Sequence, residues 1–223
     1  MRLLQEEASV NAMLNGEVDL SGRVDTAVSD YEDAGLTLIN SPGPSLCYVQ
    51  MIDLDGVLLE PLGNVQVRRA MMLALDREGY NQAVLNGLGE TNPGWFLPSE
   101  PWYDPGPEKY AFDLPKAKQM LADAGYPDGF SILIETIPPL ATSAEAVQQR
   151  WTALGLDVSL NMGEPGTLGK TLRSGTTELT PTCNIGHPPE TFYKQRVGPG
   201  NMFDPLEADR GEIADLAEVA MMA

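Results

Sequence analysis

The chain has 223 residues, 43% of them hydrophobic, with 32 acidic against 14 basic side chains and a formal net charge of −18. A chain of this length buries roughly 70% of its unfolded surface, enough for a core without staples, and the hydrophobic content excludes wholesale disorder. A surface this negative repels phosphate, which excludes nucleic acid as a partner and argues against anionic lipid headgroups.

Taken in order, residues 1–15 read as a helix with Leu4, Ala8, Val10 or Ala12, and Met13–Leu14 turned inward, closed by Gly16. Glu17–Leu20 looks like a short strand, and a short helix follows around Asp25–Tyr31. Leu36–Ile39 and Leu46–Met51 are strand-like, separated by the turn residues Ser41-Pro42-Gly43-Pro44. Val67, Ala70, Met71, Ala74 and Leu75 repeat at helical spacing. Asp76 is placed to cap a further helix with Tyr80, Ala83 and Val84 inward, ending near Gly87.

The loop over 90–109 holds five prolines and the aromatics Trp95, Phe96, Trp102 and Tyr103. A segment this long without secondary structure marks function or a packed surface arm. Asp113 then reads as the N-cap of a helix with Pro115 in its first turn. Leu114, Ala117, Met120, Leu121 and Ala124 form its stripe, and Gly125 takes the left-handed position after it.

Phe130, Ile132 and Ile134 alternate as a strand, and Thr142-Ser143-Ala144-Glu145 reads as a capping box for a helix burying Val147, Trp151 and Leu154. Leu156, Val158 and Leu160 alternate again. Strand, helix and strand in this succession predict two parallel strands with a right-handed crossover. A short helix is expected over Thr167–Ser174. Residues 176–205 show no regular pattern, and the tail from Glu212 to Met222 is amphipathic. The fold class is α/β, a mixed sheet with helices on its faces.

Catalytic and metal chemistry finds few candidates. His187 is the sole histidine and no Gly-x-Ser-x-Gly elbow accompanies it. One histidine and two distant cysteines do not make a metal cluster, so neither a metal nor another cofactor is expected. Cys47 and Cys183 read as buried free thiols in preference to a single disulfide. The first twenty residues carry acids where a signal peptide has its apolar stretch, and no run of 18 apolar residues exists to span a membrane.

Two signatures in the middle of the chain carry a resemblance. One is Val67-Arg68-Arg69-Ala70 with Ala74-Leu75-Asp76-Arg77-Glu78 and Gly87. The other is Tyr110-Ala111-Phe112-Asp113 with Ala117-Lys118, Leu121, Ala124-Gly125-Tyr126 and Gly129-Phe130. In this order the chain resembles the family 5 (peptide/nickel-type) extracellular solute-binding proteins of ABC transporters. The resemblance implies a type II periplasmic-binding-protein fold, and residues 1–223 as a single C-terminal lobe whose N-terminal lobe and signal sequence belong to a longer protein.

By the same resemblance, the function is binding of a peptide or peptide-like solute for uptake. The partners are that solute, the transporter's permease subunits and the missing N-terminal lobe. The location is periplasmic or extracellular, membrane-associated through the parent protein. The segment corresponding to the family's ligand-facing loop is Thr182–Pro188. Peptide binders of the family carry an aspartate there for the peptide's α-amino group, whereas Asn184 stands at about that place in this chain. Tyr48, Trp95, Phe96, Asn184 and His187 are therefore the expected ligand-binding residues. Two alternatives stand beside this: a hydrolase using His187 with Cys183, and a structural or receptor-interaction domain that binds no solute.

Overall fold

The structure, a computed structural model, describes residues 6–20, 28–39, 45–91, 111–164 and 166–185, with single positions at 96, 101, 103, 201 and 205. In chain order these form α1 (Glu6–Leu14), α2 (Val28–Asp33), β1 (Ser45–Met51), α3 (Glu60–Gly63), α4 (Val65–Leu73), α5 (Arg77–Val84) and α6 (Leu114–Asp123). β2 (Ser131–Thr136), α7 (Ala141–Leu154), β3 (Asp157–Met162), α8 (Leu168–Arg173) and β4 (Leu179–Ile185) follow. The chain divides into two compact units: Met1–Pro42 with Arg77–Thr91, and Gly43–Asp76 with Asn92–Ala223.

The first unit is helical in its described residues. α1 buries Ala12, while Ala8 and Leu14 face solvent, so its inward stripe is narrower than the sequence suggests. Neither Glu17–Leu20 nor Leu36–Ile39 is a strand. Their amides serve to close helices instead: Glu17 donates to the Ala12 carbonyl and Leu36 to that of Tyr31. With no described strand beside them in this unit, Leu20 and Ile39 stay 84% and 83% exposed.

On α5 the buried residue is Asn81, and Ala83, expected inward, is exposed. The Asn81 amide donates to the Gly89 carbonyl and accepts from the Gly89 N–H, both at 2.9 Å, so it fastens the turn through Gly87. A polar side chain is buried here because it serves as a template for backbone.

The second unit is built on a mixed four-stranded sheet of order β1-β4-β2-β3. β2 is parallel to both β3 and β4, while β1 is antiparallel to β4. The predicted β2–α7–β3 crossover is present. Burial alternates along β2, with Ile132, Ile134 and Thr136 turned to the side that packs α7. On that side Val67, Ala70 and Met71 of α4, Ala117 and Leu121 of α6, and Trp151 and Leu154 of α7 join Leu179 in one core. The Trp151 indole N–H also donates to the Met71 carbonyl at 3.0 Å, tying α7 to α4.

The Asp113 cap forms as expected, accepting from Lys116 N–H at 3.0 Å. The capping box at Thr142–Glu145 does not. α7 starts at Ala141, continuing directly from a 3₁₀ turn over Pro138–Leu140, and its N-cap Leu140 makes no side-chain bond. The preceding turn supplies the entry geometry that a capping side chain would otherwise give.

Gly129, in the left-handed region at φ +72, lies so close to Gly155 that a Cβ there would stand 1.9 Å from the Gly155 carbonyl oxygen. The two strand entrances therefore meet at glycine on both sides, and Asp157 N–H bonds the Phe130 carbonyl just beyond.

β4 falls inside the stretch that shows no pattern in the sequence. Pro181 hides it, since a proline within a run argues against a central strand. Leu179 is level with Ile134 in the parallel register, which puts Pro181 level with Thr136, the last residue of β2. Cys47 and Cys183, directly opposite each other, have Cα atoms 4.0 Å apart. That is the closely spaced, non-hydrogen-bonded kind of pair, and Val49–Pro181 has the same parity. The proline nitrogen thus points away from β1, toward the side where β2 ends, and the β1–β4 ladder loses nothing.

Candidate functional site

Beyond the level of Thr136, residues Thr182–Ile185 of β4 pair only with Ser45–Tyr48 of β1 among the described residues. This two-stranded ribbon extends past the carboxyl ends of β2 and β3. In open α/β sheets those ends are where ligands bind. Four rungs at about 3.3 Å each give a projection of about 13 Å.

The two sides of the ribbon differ. One carries Cys47, Val49, Pro181 and Cys183, and Val49 continues into the core below. Cys47 and Cys183 are joined as a disulfide, which corrects the expectation of buried free thiols: Cys47 is exposed and Cys183 half-buried. The reason is register, which sets the two residues directly opposite each other on paired strands.

The other side carries Tyr48, Gln50, Thr180 and Thr182. Tyr48 and Thr182 are half-buried cross-strand partners. Gln50 donates from Nε2 to the Met51 carbonyl at 3.1 Å, and its Oε1 is buried with no hydrogen-bond partner among the described residues. The Thr180 hydroxyl lies 2.8 Å from the Glu135 carbonyl and 3.0 Å from that of Pro181, stitching β4 to β2.

Below, on β2 and β3, this face is polar and open. Ser131 donates to Asp157 at 2.9 Å, and Asn161 reaches both Glu135 oxygens at 3.2 and 3.0 Å. Glu178, at the foot of β4, accepts the Leu133 N–H at 3.2 Å. Burial pushes its carboxyl up from the ordinary value. The Leu133 bond opposes that shift, and the charges of Asp53 and Glu135 add to it.

The loop leaving β1 is held from within. Asp53, wholly buried, accepts backbone N–H bonds from Val57, Leu58 and Leu59 at 2.7, 2.9 and 2.7 Å. Arg68 donates to the Leu54 and Leu62 carbonyls at 2.9 and 2.5 Å. Burial pulls its guanidinium pKa down, while Asp55 works in the opposite direction. Arg68, the first arginine of the first sequence signature, is thus a backbone clamp.

Of the predicted ligand residues, Tyr48 sits on the ribbon's polar side, and the backbone of Asn184 is in the same ribbon, opposite Leu46. Phe96 is half-buried. Trp95 and His187 lie outside the described residues, as does the amphipathic tail. The sequence reading gave Gln50 no role, and it placed Thr182 in the ligand-facing segment without singling it out. The alternation Tyr48-Gln50 against Thr180-Thr182, interrupted by Pro181, is the signal that groups them on one side.

The family described as bacterial extracellular solute-binding proteins, family 5 Middle, matches residues 1–203. The chain belongs to this family. Among curated relatives, the dipeptide-binding protein of Escherichia coli is 28% identical over 171 residues, covering 72% of this chain and 31% of that protein. Heme-binding protein A of Haemophilus influenzae is 28% identical over 182 residues, with coverage of 76% and 32%. The chain therefore spans about a third of the length of these family 5 relatives.

Among solved structures, a periplasmic binding protein from Helicobacter pylori in complex with a peptide aligns at TM-score 0.79 and 22% identity, over 96% of this chain and 43% of that one. An ABC transporter substrate-binding protein from Listeria monocytogenes aligns at 0.81 and 18%, over 96% and 45%. At these identities the likeness is one of fold: the mixed sheet with helices is that of periplasmic binding proteins. No described helix is long and apolar enough to cross a membrane.

Proposed function

We propose that residues 1–223 act as the C-terminal lobe of an ABC-transporter solute-binding protein and form one wall of its ligand cleft. The solute is a peptide or peptide-like molecule, passed to permease subunits from a periplasmic or extracellular location. The observation that carries this reading is the family match over residues 1–203 together with a projecting ribbon whose polar side bears Tyr48, Gln50 and Thr182. Family 5 relatives named for dipeptide and glutathione binding support the solute class. The cross-strand disulfide supports an oxidising compartment.

Binding without turnover is the inference from the family, whose matched members are transport proteins. The hydrolase alternative is not favoured: while the bridge is closed, the Cys183 sulfur is bonded to Cys47 and offers no thiolate. The cleft has a second wall in this reading, so the isolated chain is expected to bind weakly.

The test is nuclear magnetic resonance of the chain titrated with a dipeptide, glutathione or hemin to millimolar concentrations. Shift changes on β1 and β4 with the dipeptide or glutathione, abolished by Tyr48→Ala, are expected. Changes with hemin alone, or changes away from the ribbon, would overturn the peptide-type reading.

A further inference from the structure

The projecting half of the ribbon has a single strand-to-strand seam among the described residues. Ser45–Tyr48 and Thr182–Ile185 have each other as their only strand neighbours among the described residues, and β1 is an edge strand of the sheet. Two antiparallel strands alone are marginally stable in water. The Cys47–Cys183 bridge lies inside these four rungs, on the rung next to Tyr48–Thr182. Its Cys47 member is exposed, unlike the wholly buried residues on which the sheet's base is built.

We propose that this disulfide is a thiol-reducible clip: closed, it holds the projecting half of the ribbon in register; opened, it lets those rungs separate while the base stays folded. The reductant is a dithiol. One of its thiolates attacks the Cys47 sulfur, the Cys47–Cys183 bond breaks, and Cys183 leaves as a thiolate that takes up a proton. The second thiolate of the reductant attacks the mixed disulfide, so the reductant ends oxidised with its own S–S bond and Cys47 ends as a thiol.

The functional consequence rests on the solute-binding reading, since Tyr48 and Thr182 are a cross-strand pair only while those rungs are paired. Opening the clip takes apart that face without altering a side chain on it.

Hydrogen exchange read by mass spectrometry tests this on the 223-residue chain, oxidised, treated with dithiothreitol under native conditions, and as the Cys47→Ser/Cys183→Ser variant. Alkylation with a mass tag scores the thiols. Native reduction is expected, with amides of 45–48 and 182–185 exchanging at least about tenfold faster and those of β2 and β3 still protected, because exchange follows local opening.

Three results would overturn it: reduction that needs denaturant, unchanged ribbon protection after reduction, or loss of protection in β2 and β3 as well. A dipeptide titration of both forms separates the two readings. Ribbon loosening with no dipeptide signal in either form keeps the clip and removes the solute-binding face.

Discussion

At the base of the sheet, Ile132, Ile134, Val158 and Leu179 pack with Trp151 and Leu154 of α7, and apolar burial holds the strands together. Beyond Thr136 the strands β1 and β4 continue with a covalent bridge and a polar side. The base tolerates little change, because every side chain there fills space among many others. The ribbon can change its exposed residues at small cost to folding. On the proposed reading, that division would let one lobe architecture carry different ligand chemistries, with the candidate binding side chains set beyond the packed base.

The comparison breaks most readily at its strongest point. Trp151→Ala removes a wholly buried ring and leaves the Met71 carbonyl without its indole donor. A loss of about 3–5 kcal/mol is expected for such a truncation. Urea unfolding measures it, and a loss below about 1 kcal/mol would mean that the base does not hold the unit.

The Cys47→Ser/Cys183→Ser pair comes next. The bridge spans a sequence separation of 136, for which the chain-entropy account gives at most about 5 kcal/mol, and about 2–4 is typical. The same unfolding experiment with and without reductant should show the wild type falling to the level of the double variant. A double variant as stable as the oxidised chain would show that the bridge adds nothing.

Glu178 sharpens the contrast at the foot of β4. Its folded-state pKa is raised, so the folded chain binds that proton more tightly than the unfolded chain does. Its favourable contribution is complete below the unfolded value, near the ordinary 4.5, and is lost as pH rises through the folded value. Glu178→Gln keeps an acceptor for Leu133 N–H and should gain in melting temperature relative to wild type as pH climbs from acid toward neutral. A constant difference across that range would refute the assignment.

The smallest effect is expected at the surface of the base. Arg150 and Asp76 form an ion pair at 3.0 Å with side chains 37% and 22% exposed, and Arg150 also lies over the Phe112 ring. Arg150→Gln should cost under about 1 kcal/mol, falling further in high salt.

How far the sequence could be read follows the same division. The base was legible because its helices and strands repeat apolar residues at periods of 3.6 and 2, and because Asp113, Gly125 and Gly155 mark ends by local chemistry alone. The ribbon was half legible. β1 showed as a strand, but β4 did not, since Pro181 is tolerated only by a register that no local pattern contains. The disulfide was missed for the same reason: Cys47 and Cys183 become neighbours only when β1 and β4 pair. Leu36–Ile39 misled in the opposite direction, having strand-forming residues and no partner strand among the described residues.

Pro181 has one further consequence, for the seam between β4 and β2. An N–H at that position would point away from β1 and toward β2, where Thr136 is level with it. The proline ring offers none, and the neighbouring Thr180 hydroxyl bonds the Glu135 carbonyl at 2.8 Å. The last rung of that seam is thus closed by a side chain, so Thr180→Val would cost the Glu135 carbonyl this donor while leaving the β1–β4 ladder intact.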